Sequence, residues 1–477
     1  MTHALVGLEA RPVEVEAHLQ RGVPAFSIVG LPDKACQEAK ERVRSGIASA
    51  ELEWPLRRIT VNLAPAGLRK EGSGYDLPIA LAVLGASRQV PPERLAEHAA
   101  LGELGLDGRL RPVAGALVAA EAAKRSGLTR VLCATESAPE IALAGVEPVP
   151  VRHLADAGAY LRGQFQPEPA EAPRRSPGLP QGDLADVRGQ ERARRALELA
   201  AVGRLNLLLA GPPGTGKTML ARRLAGILPP LTLEQALEVT RIHSVAGLLS
   251  PGHGLVDTPP FRAPHHTAST AAMVGGGPGP RPGEATLAHH GVLLLDELAE
   301  FARPALEALR QPLEDGMIAI ARIAGRVVFP ARFVLVGTMN LCPCGARGDP
   351  AAECACSAQR LAAYRDKLSR ALLDRFDLVV RTPRARSAEL ARPGETSGAV
   401  RERVAPAAVR FAREPPALCE AAEALLARAV DSIPLSARGR TRVAKVASAA
   451  AALADTERVE TEHVAEALAY RSPADLR

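Results

Sequence analysis

The sequence predicts a multidomain α/β protein whose central part builds a parallel sheet around a phosphate-binding loop. Three observations support this class. A chain of 477 residues is too long for one hydrophobic core and indicates about two to four domains. Short apolar runs that end in glycine, acid or amide residues alternate with segments whose apolar residues have helical spacing. This alternation is typical of parallel sheets covered by helices. After about residue 383 the chain becomes alanine-rich and helical, which predicts a small helical bundle.

The composition is that of an ordinary soluble protein, with 47% apolar residues. The chain has no apolar run of about eighteen residues, and its start lacks the pattern of a signal peptide. We therefore expect a cytoplasmic protein with no membrane partner. The net charge of +6 suits a polyanionic partner. All but seven of the 59 basic residues are arginines, in a chain crowded with alanine, a bias that genome composition explains better than binding does. The charge is therefore only weak evidence for a nucleic-acid partner.

Residues 1–165 predict a mixed α/β domain. Ala25–Val29 and residues 58–63 have the composition of strands, and residues 34–50 have helical spacing. The sequence shows no cluster of acids, bases or nucleophiles here. Residues 70–76 offer a glycine-rich loop that could bind an anion, but a structural turn before a capped helix is the better interpretation.

Residues 166–182 are rich in proline and charge, which predicts a linker because such a segment cannot bury a core. The linker separates the first domain from a second, at 183–383, and a helical domain follows at 384–477. We therefore expect the first domain to move relative to the second.

A phosphate-binding loop lies at the centre of the second domain. Leu207–Ala210 predicts a buried strand, and leucines spaced four apart predict the helix that follows. The loop between them has the pattern Gly-x-x-x-x-Gly-Lys-Thr, whose glycines allow positive φ so that successive N–H groups turn toward a phosphate. We expect ATP to bind Gly211, Pro212, Pro213, Gly214, Thr215, Gly216, Lys217 and Thr218. The Lys217 ammonium would lie between the β- and γ-phosphates, and the Thr218 hydroxyl would ligate Mg²⁺.

Two later apolar strands end in residues suited to ATP hydrolysis. The first leads into Asp296 and Glu297, of which Asp296 would belong to the Mg²⁺ shell and Glu297 would orient or deprotonate the attacking water. The second leads into Asn340, whose amide suits a polar sensor between water and γ-phosphate, with a simple turn former as the alternative. An acidic pair after a P-loop predicts hydrolysis as well as binding.

Four of the seven cysteines lie in two close pairs shortly after Asn340. Four thiolates could enclose a tetrahedral Zn²⁺, although the one-residue spacing within each pair is tighter than usual. Reduced cysteines or a labile disulfide are equally open interpretations. The four residues are Cys342, Cys344, Cys354 and Cys356. The other three, Cys36, Cys133 and Cys419, are predicted to be small buried hydrophobes.

The order of these motifs resembles the AAA+ ATPases, and nearly the whole chain resembles the magnesium-chelatase-like ComM/YifB family. The segments that carry this resemblance are residues 29–32, 58–65, 186–190, 261–267, 288–291 and 342–345. The resemblance implies a homo-hexameric, ATP-dependent ring with ATP bound between subunits. It also implies that Arg375 is an arginine finger directed at a neighbour's γ-phosphate. Arg438 would be a second sensor on a helical lid that touches the γ-phosphate from the opposite side. A surface charge is the alternative for each arginine.

The resemblance further implies an ATP-driven motor that acts on single-stranded or branched DNA, with branch migration or helicase activity in recombination during natural transformation. A hairpin predicted at 317–329 would point into the ring channel, where Arg322 and Arg326 would contact the phosphate backbone.

The first domain resembles the Lon protease domain, which has the ribosomal S5 domain 2-like fold. It departs from that pattern because no Ser/Lys pair occurs in the matching serine-glycine context, so peptidase activity is not expected. Two alternatives to the DNA motor are a magnesium-chelatase-type ATPase that remodels a partner protein and, with less support, an ATP-dependent protease.

Overall fold

The computed structural model describes residues 1–169, 182–250, 252–277, 279–322, 325–433 and 435–471. Residues 170–181 of the predicted linker at 166–182 lie outside the described residues. The backbone of Arg322 is described, whereas its side chain is not.

The N-terminal part is an α/β unit with two main sheets. Its elements are β1 (Thr2–Val6), β2 (Glu9–Gln20), β3 (Ala25–Val29), α1 (Lys34–Ser49), β4 (Arg58–Ala64), α2 (Asp76–Ala86), α3 (Pro92–Ala96), β5 (His98–Ala100), β6 (Glu103–Leu104), β7 (Leu110–Arg111), α4 (Ala116–Arg125), β8 (Arg130–Ala134), α5 (Ala138–Ala142), β9 (Glu147–Val151) and α6 (Leu154–Leu161). The first sheet has the order β1-β2-β4-β3, and the second is a parallel sheet of order β5-β8-β9.

The predicted strands and helix of this part are present as β3, β4 and α1. The long strand β2 has no counterpart in the prediction. It pairs antiparallel with both β1 and β4, and most of its side chains are exposed or half-buried. Residues 13–20 alternate apolar and polar side chains, the pattern of a half-buried strand, so the sequence carries the signal for β2 and the prediction missed it.

The central part contains a five-stranded parallel sheet. Its elements are α7 (Glu191–Gly203), β10 (Leu207–Ala210), α8 (Lys217–Ile227), α9 (Leu233–Val245), β11 (Phe261–Arg262), α10 (Thr270–Val274), α11 (Glu284–Leu287), β12 (Val292–Leu295), α12 (Arg303–Ala308), α13 (Arg310–Asp315), β13 (Met317–Arg322), β14 (Gly325–Pro330), β15 (Val334–Met339), α14 (Ala358–Asp366), α15 (Arg370–Leu373) and β16 (Leu378–Arg381).

The parallel sheet has the order β11-β12-β15-β10-β16. Every residue of β10, β12 and β15 is buried, as expected for strands covered by helices on both faces. Because the strands are parallel, the residues that follow β10, β12, β15 and β16 all lie at one edge of the sheet. The predicted nucleotide-site residues follow three of these strands.

The C-terminal part is mainly helical, as predicted. Its elements are α16 (Ser387–Leu390), α17 (Ser397–Arg413), β17 (Ala417–Leu418), α18 (Glu420–Ser432), α19 (Ala437–Leu453), β18 (Arg458–Val459) and α20 (Thr461–Ala469). The short parallel pair β17–β18 was not predicted. The helices share one hydrophobic core with α7 and α8 of the central part. In the part of the chain that the structure describes, no helix is long and apolar enough to cross a membrane.

The N-terminal and central parts contact each other through α9. Arg241 of this helix pairs with Glu121 at 2.8 Å, and the backbone N–H of Gly115 donates to the Ser244 carbonyl at 2.9 Å. The buried Glu140 carboxylate accepts hydrogen bonds from the Ser244 hydroxyl and from the backbone N–H of Leu117. This packing differs from the independent first domain that the linker composition suggests.

Candidate nucleotide site

The P-loop joins the end of β10 to the start of α8, as its pattern predicts. Gly214 and Gly216 have φ of +76° and +85°, conformations that only glycine adopts at little cost. Gly211 has no positive φ and is required for a different reason, because a Cβ atom there would lie 2.4 Å from the Thr382 carbonyl oxygen. The prediction of positive φ is therefore wrong for Gly211, where close approach of the last strand explains the glycine.

The Lys217 ammonium is buried within the loop that precedes it. It donates to the carbonyl oxygens of Gly211 and Pro212 at 2.8 and 2.7 Å, and to Oδ1 of Asn340 at 3.2 Å. These three acceptors match the three protons of the ammonium group. Burial lowers the pKa of Lys217, and the nearby carboxylates of Asp296 and Glu297 oppose that shift.

Thr218 and Asp296 are spaced as two ligands of one cation. The Thr218 hydroxyl lies 2.9 Å from Oδ1 and 3.1 Å from Oδ2 of Asp296. Two oxygens at adjacent corners of a Mg²⁺ octahedron are about 2.9 to 3.0 Å apart, because each lies roughly 2.1 Å from the metal. The hydroxyl and the carboxylate therefore fit one edge of a Mg²⁺ coordination shell.

Thr338 fixes the acidic pair, and the sequence analysis missed it. This side chain, 1% exposed near the end of β15, donates to Asp296 Oδ1 at 2.5 Å and accepts from the backbone N–H of Glu297 at 3.0 Å. Glu297 itself has φ of +55° and an exposed side chain. A polar residue within an apolar strand, two residues before Asn340, is the sequence signal that marks Thr338.

The end of β16 closes the loop from the other side. The buried Thr382 hydroxyl lies 3.1 Å from the hydroxyl of Thr215, which donates to the Pro212 carbonyl at 2.9 Å. Gln190 donates through its amide to the carbonyl of Pro383 at 2.6 Å. Neither Thr382 nor Gln190 belongs to the predicted site. No motif marks either residue as a partner of the P-loop, and only the fold brings them beside it.

Arg375 and Arg438 lie together, and both contact Glu314. The Arg375 side chain is 3% exposed, donates to the Ala371 carbonyl at 2.8 Å and forms an ion pair with the Glu314 carboxylate. The Arg438 side chain is 69% exposed and lies 3.4 Å from the same carboxylate. The predicted finger and the predicted second sensor thus share one acidic partner on α13.

The four clustered cysteines converge after β15. Their sulfur atoms all lie within 4.8 Å of one another, with Cys342 buried and Cys344 exposed. A hydrogen bond from the Ala346 backbone, with further bonds from Cys342 and Cys356, lowers the pKa of Cys344 to about 6. Of the other three cysteines, Cys36 and Cys133 are buried as predicted, whereas Cys419 is half-buried.

A second polar cluster joins α9 to the start of β12. Glu238 accepts from Nε2 of His289 at 3.0 Å and from Nε2 of His290 at 2.7 Å. Nδ1 of His289 accepts from the backbone N–H of Arg332 at 3.0 Å, which leaves the proton of the neutral ring on Nε2. Burial lowers the pKa of His289 to about 4, so the ring is neutral near pH 7.

Comparison with known proteins covers almost the entire chain. Residues 183–390 match the family model described as magnesium chelatase, subunit ChlI; residues 15–137 match the model of subunit ChlI of Mg-chelatase; and residues 380–471 match the model of its C-terminal region. An uncharacterized protein of Mycobacterium tuberculosis is 45% identical over 501 residues, covering 99% of this chain and 98% of its own.

Two further relatives of similar length decide the family. The uncharacterized protein YifB of Escherichia coli is 42% identical over 494 residues, which cover 99% of this chain and 96% of YifB. The competence protein ComM of Haemophilus influenzae is 41% identical over 499 residues, which cover 100% of this chain and 97% of ComM. The chain belongs to the magnesium-chelatase-like ComM/YifB family.

The ComM/YifB assignment confirms the resemblance carried by the sequence motifs. Side chains of these motifs form specific contacts in the fold. Arg262 of the 261–267 motif pairs with Glu284 at 2.6 Å, and His289 and His290 of the 288–291 motif are the residues that contact Glu238. The central sheet and the family model together support an AAA-like, ATP-binding domain.

The predicted hairpin is present as β13 and β14. Its register pairs Ile318 with Phe329 on the packed face and Ala321 with Arg326 near the tip. Arg326 is exposed, while the side chain of Arg322 lies outside the described residues. The middle of the hairpin packs against the N-terminal part, where a Cβ atom at Gly7 would lie 2.4 Å from Val327 Cγ1.

Proposed function

We propose that this member of the ComM/YifB family is an ATP-hydrolysing, hexameric AAA+ motor that acts on single-stranded or branched DNA. Its activity would be branch migration or DNA unwinding in recombination during natural transformation. The observation that most supports hydrolysis is the meeting of Lys217, Asp296 and Asn340 at the ends of three adjacent strands. ATP and Mg²⁺ are the cofactors that fit this site, and Zn²⁺ is proposed for the four cysteines.

Each side chain of the site has a role that follows from its placement. Mg²⁺ bound by Thr218 and Asp296 would neutralise charge on the phosphates. Lys217 would turn from its carbonyl partners to the β- and γ-phosphates. The exposed carboxylate of Glu297 would orient or deprotonate the attacking water, and the Asn340 amide, already 3.2 Å from Lys217 Nζ, would contact the γ-phosphate.

The proposed ring places a second set of residues at each ATP site. We assign Arg375 as the finger directed at a neighbour's γ-phosphate, which in other systems accelerates hydrolysis by roughly 10³- to 10⁵-fold. Because Arg375 and Arg438 share Glu314, we assign both arginines to the same side of the subunit interface, in place of the opposite-side approach that the resemblance implies for Arg438. Release of Arg375 from Glu314 would then accompany ring assembly.

A mixing experiment tests the shared site. The Lys217→Ala variant lacks a nucleotide site but keeps Arg375, whereas Arg375→Ala keeps the nucleotide site. Mixed rings are expected to hydrolyse ATP faster than the sum of the two separate variants, because one variant completes the other's site. If the mixtures only add their separate rates, Arg375 does not act between subunits.

DNA contact is proposed for the β13–β14 hairpin, whose Arg326 is exposed. Aromatic residues make up 3% of the chain, so tracking of phosphates is favoured over stacking on bases. The test is ATP hydrolysis with and without forked and single-stranded DNA, beside Lys217→Ala and Glu297→Gln. We expect DNA to stimulate hydrolysis, Lys217→Ala to lose ATP, and Glu297→Gln to bind ATP, assemble and stall. Hydrolysis that DNA does not stimulate, with no DNA retained, would refute the motor.

The remaining parts receive roles from the same resemblance. We propose that residues 1–165 form a Lon-like domain, residues 166–182 a linker, residues 183–383 the ATPase core and residues 384–477 a lid. A protease role has no support in the described residues, where Lys70 donates to the Pro65 carbonyl, Ser73 donates to Glu103, and no hydrogen bond joins Lys70 to Ser73. A chelatase-type role is not favoured, because the matches to YifB and ComM span nearly the whole chain.

A further inference from the structure

We infer that Cys342, Cys344, Cys354 and Cys356 form a tetrathiolate zinc site that braces the ATP-binding loop. The sulfur atoms of Cys342 and Cys344 are 3.3 Å apart, those of Cys344 and Cys354 are 3.7 Å apart, and all four lie within 4.8 Å of one another. The metal site does not depend on the proposed ATP site. The bracing role also depends on the proposed ATP site.

The spacing of the sulfur atoms fits a metal ion. Zinc binds thiolates at about 2.3 Å, so the edges of a tetrahedral four-sulfur site are roughly 3.8 Å long. A disulfide requires about 2.05 Å between its sulfur atoms. The distances of 3.3 and 3.7 Å are therefore too long for a bond and close to the edge of a zinc tetrahedron.

Burial does not explain why these cysteines converge. Reduced cysteines usually behave as small buried hydrophobes, and Cys36 and Cys133 of this chain are 0% exposed. In the cluster Cys344 is exposed and Cys354 and Cys356 are half-buried, so core packing contributes little to holding them together. Sulfur ligands select zinc over Mg²⁺ or Ca²⁺, which prefer oxygen.

The backbone around the cluster has features of a thiolate metal site. Gly345 and Gly348 have φ of +79° and +82°, which lets the chain turn sharply after the first cysteine pair. The backbone N–H of Arg347 donates to Cys342 Sγ at 3.2 Å. Such donors stabilise the negative charge of a metal-bound thiolate.

The cluster touches the ATP-binding loop and the strand ends around it. Cys342 follows Asn340 by two residues, and Gly345 packs so closely on the P-loop that a Cβ atom there would lie 3.0 Å from Pro213 Cδ. Asp349 pairs with Arg384 beyond β16 at 3.4 Å. A metal ion at the cysteines would thus fix β15, the P-loop and the end of β16 relative to one another.

The α14 helix adds a second connection to the sensor. The Tyr364 hydroxyl on α14 donates to the Asn340 carbonyl at 3.2 Å. Residues 354 and 356 lead directly into this helix, which begins at residue 358. Fixing the second cysteine pair would therefore also hold Tyr364, and through it the backbone that positions the Asn340 amide.

The metal itself is tested on the unaltered full-length protein. Elemental mass spectrometry is expected to find one zinc ion per chain after purification without chelator. Exchange for Co²⁺ is expected to give the intense sulfur-to-cobalt charge-transfer bands and visible d–d bands of a tetrahedral thiolate site. A chain without bound metal, a cobalt spectrum without these bands, or disulfides among the four cysteines would overturn the site.

The bracing role is tested with Cys354→Ser and Cys356→Ser against a matched control, Cys419→Ser. Cys419 lies outside the cluster, and a serine there can still accept the N–H of Ala422 that caps α18. The cluster variants are expected to lose zinc and to bind a fluorescent ATP analogue several-fold more weakly, while the control keeps both properties.

Three outcomes separate the parts of this inference. Loss of zinc with unchanged nucleotide affinity in a folded variant would refute the brace and leave the metal site. Stoichiometric zinc in a protein that binds no nucleotide would refute the proposed ATP site instead. Should the variants unfold, as judged by circular dichroism, the cobalt spectrum of the unaltered protein decides whether the metal site exists. Nucleotide affinity of the unaltered protein before and after removal of its zinc by a chelator then decides the brace, which an unchanged affinity would refute.

Discussion

The Thr338→Val substitution tests whether the acidic pair is held in place by β15. Thr338 is 1% exposed, donates to Asp296 Oδ1 at 2.5 Å and accepts from the Glu297 N–H at 3.0 Å. Valine has nearly the same shape but lacks the hydroxyl, so both hydrogen bonds are lost together. Thr338→Ser keeps the hydroxyl and is the matched control.

The size of the effect follows from the charge on Asp296. A hydrogen bond to a charged group contributes about 1.5 to 3 kcal/mol. If that stabilisation is lost in the transition state for hydrolysis, kcat falls roughly 10- to 160-fold. ATP affinity should change little, because Lys217 donates its hydrogen bonds to Gly211, Pro212 and Asn340 and not to Thr338.

The assay combines steady-state ATP hydrolysis, titration of Mg²⁺ and binding of a fluorescent nucleotide. For Thr338→Val we expect a lower kcat, a higher half-saturating Mg²⁺ concentration and nearly normal nucleotide binding. Thr338→Ser should retain most of the activity. Wild-type kcat in the valine variant, or equal losses in the valine and serine variants, would refute the assignment of Thr338 as the residue that positions Asp296.

Three further predictions concern the domain contact, the hairpin and the lid side. Burial raises the pKa of Glu140 in the folded protein. The stability that Glu140 contributes is therefore fully present below the ordinary glutamate pKa, and it is lost as the pH rises through the raised pKa. In Glu140→Gln the amide oxygen can accept both hydrogen bonds that the carboxylate now accepts. This variant should therefore melt at a higher temperature than wild type, and thermal denaturation should show the difference growing from pH 5 to pH 8. A melting-temperature difference that stays constant with pH would contradict this. A plot of the logarithm of the single-stranded DNA binding constant against the logarithm of the salt concentration should be shallower by about 0.7 for Arg326→Ala, whereas Arg44→Ala on α1 should leave the slope unchanged. Equal slopes for both variants would exclude the hairpin as a DNA contact. Arg438→Ala should slow hydrolysis without loss of ATP binding, and an unchanged kcat would identify Arg438 as a surface charge.

The motifs could be predicted from the sequence because their residues are adjacent in the chain. The P-loop, the acidic pair after β12 and Asn340 after β15 each combine a local apolar run with a distinctive polar end. Parallel pairing of the strands then brings those ends together without further information. The hairpin at β13 and β14 was predicted from the family resemblance and from Asp315 and Gly316, which precede β13 and in the structure form the end of α13.

The rest of the site depends on contacts between distant residues. Thr382 reaches the P-loop only because β16 pairs with β10, and Glu314 is recognised as a partner of Arg375 only once α13 is placed. Exposure could not be read from the sequence either. Arg375 is almost fully buried, whereas Arg438 is largely exposed, although the two arginines came from the same kind of motif comparison.

The α9 helix connects the first domain to the strand that carries Asp296. One side of the helix contacts the N-terminal part, where the Ser244 hydroxyl donates to the buried Glu140 carboxylate. On the same helix Glu238 accepts hydrogen bonds from His289 and His290, which immediately precede β12. His289 is neutral and hydrogen-bonded through both ring nitrogens, which fixes the orientation of its ring between Glu238 and the backbone of Arg332. A displacement of the first domain would therefore strain either the Glu140 contact or the His–Glu junction. A chain of contacts through α9 and β12 thus links the proposed ATP site to the first domain, which contributes none of its described residues to that site.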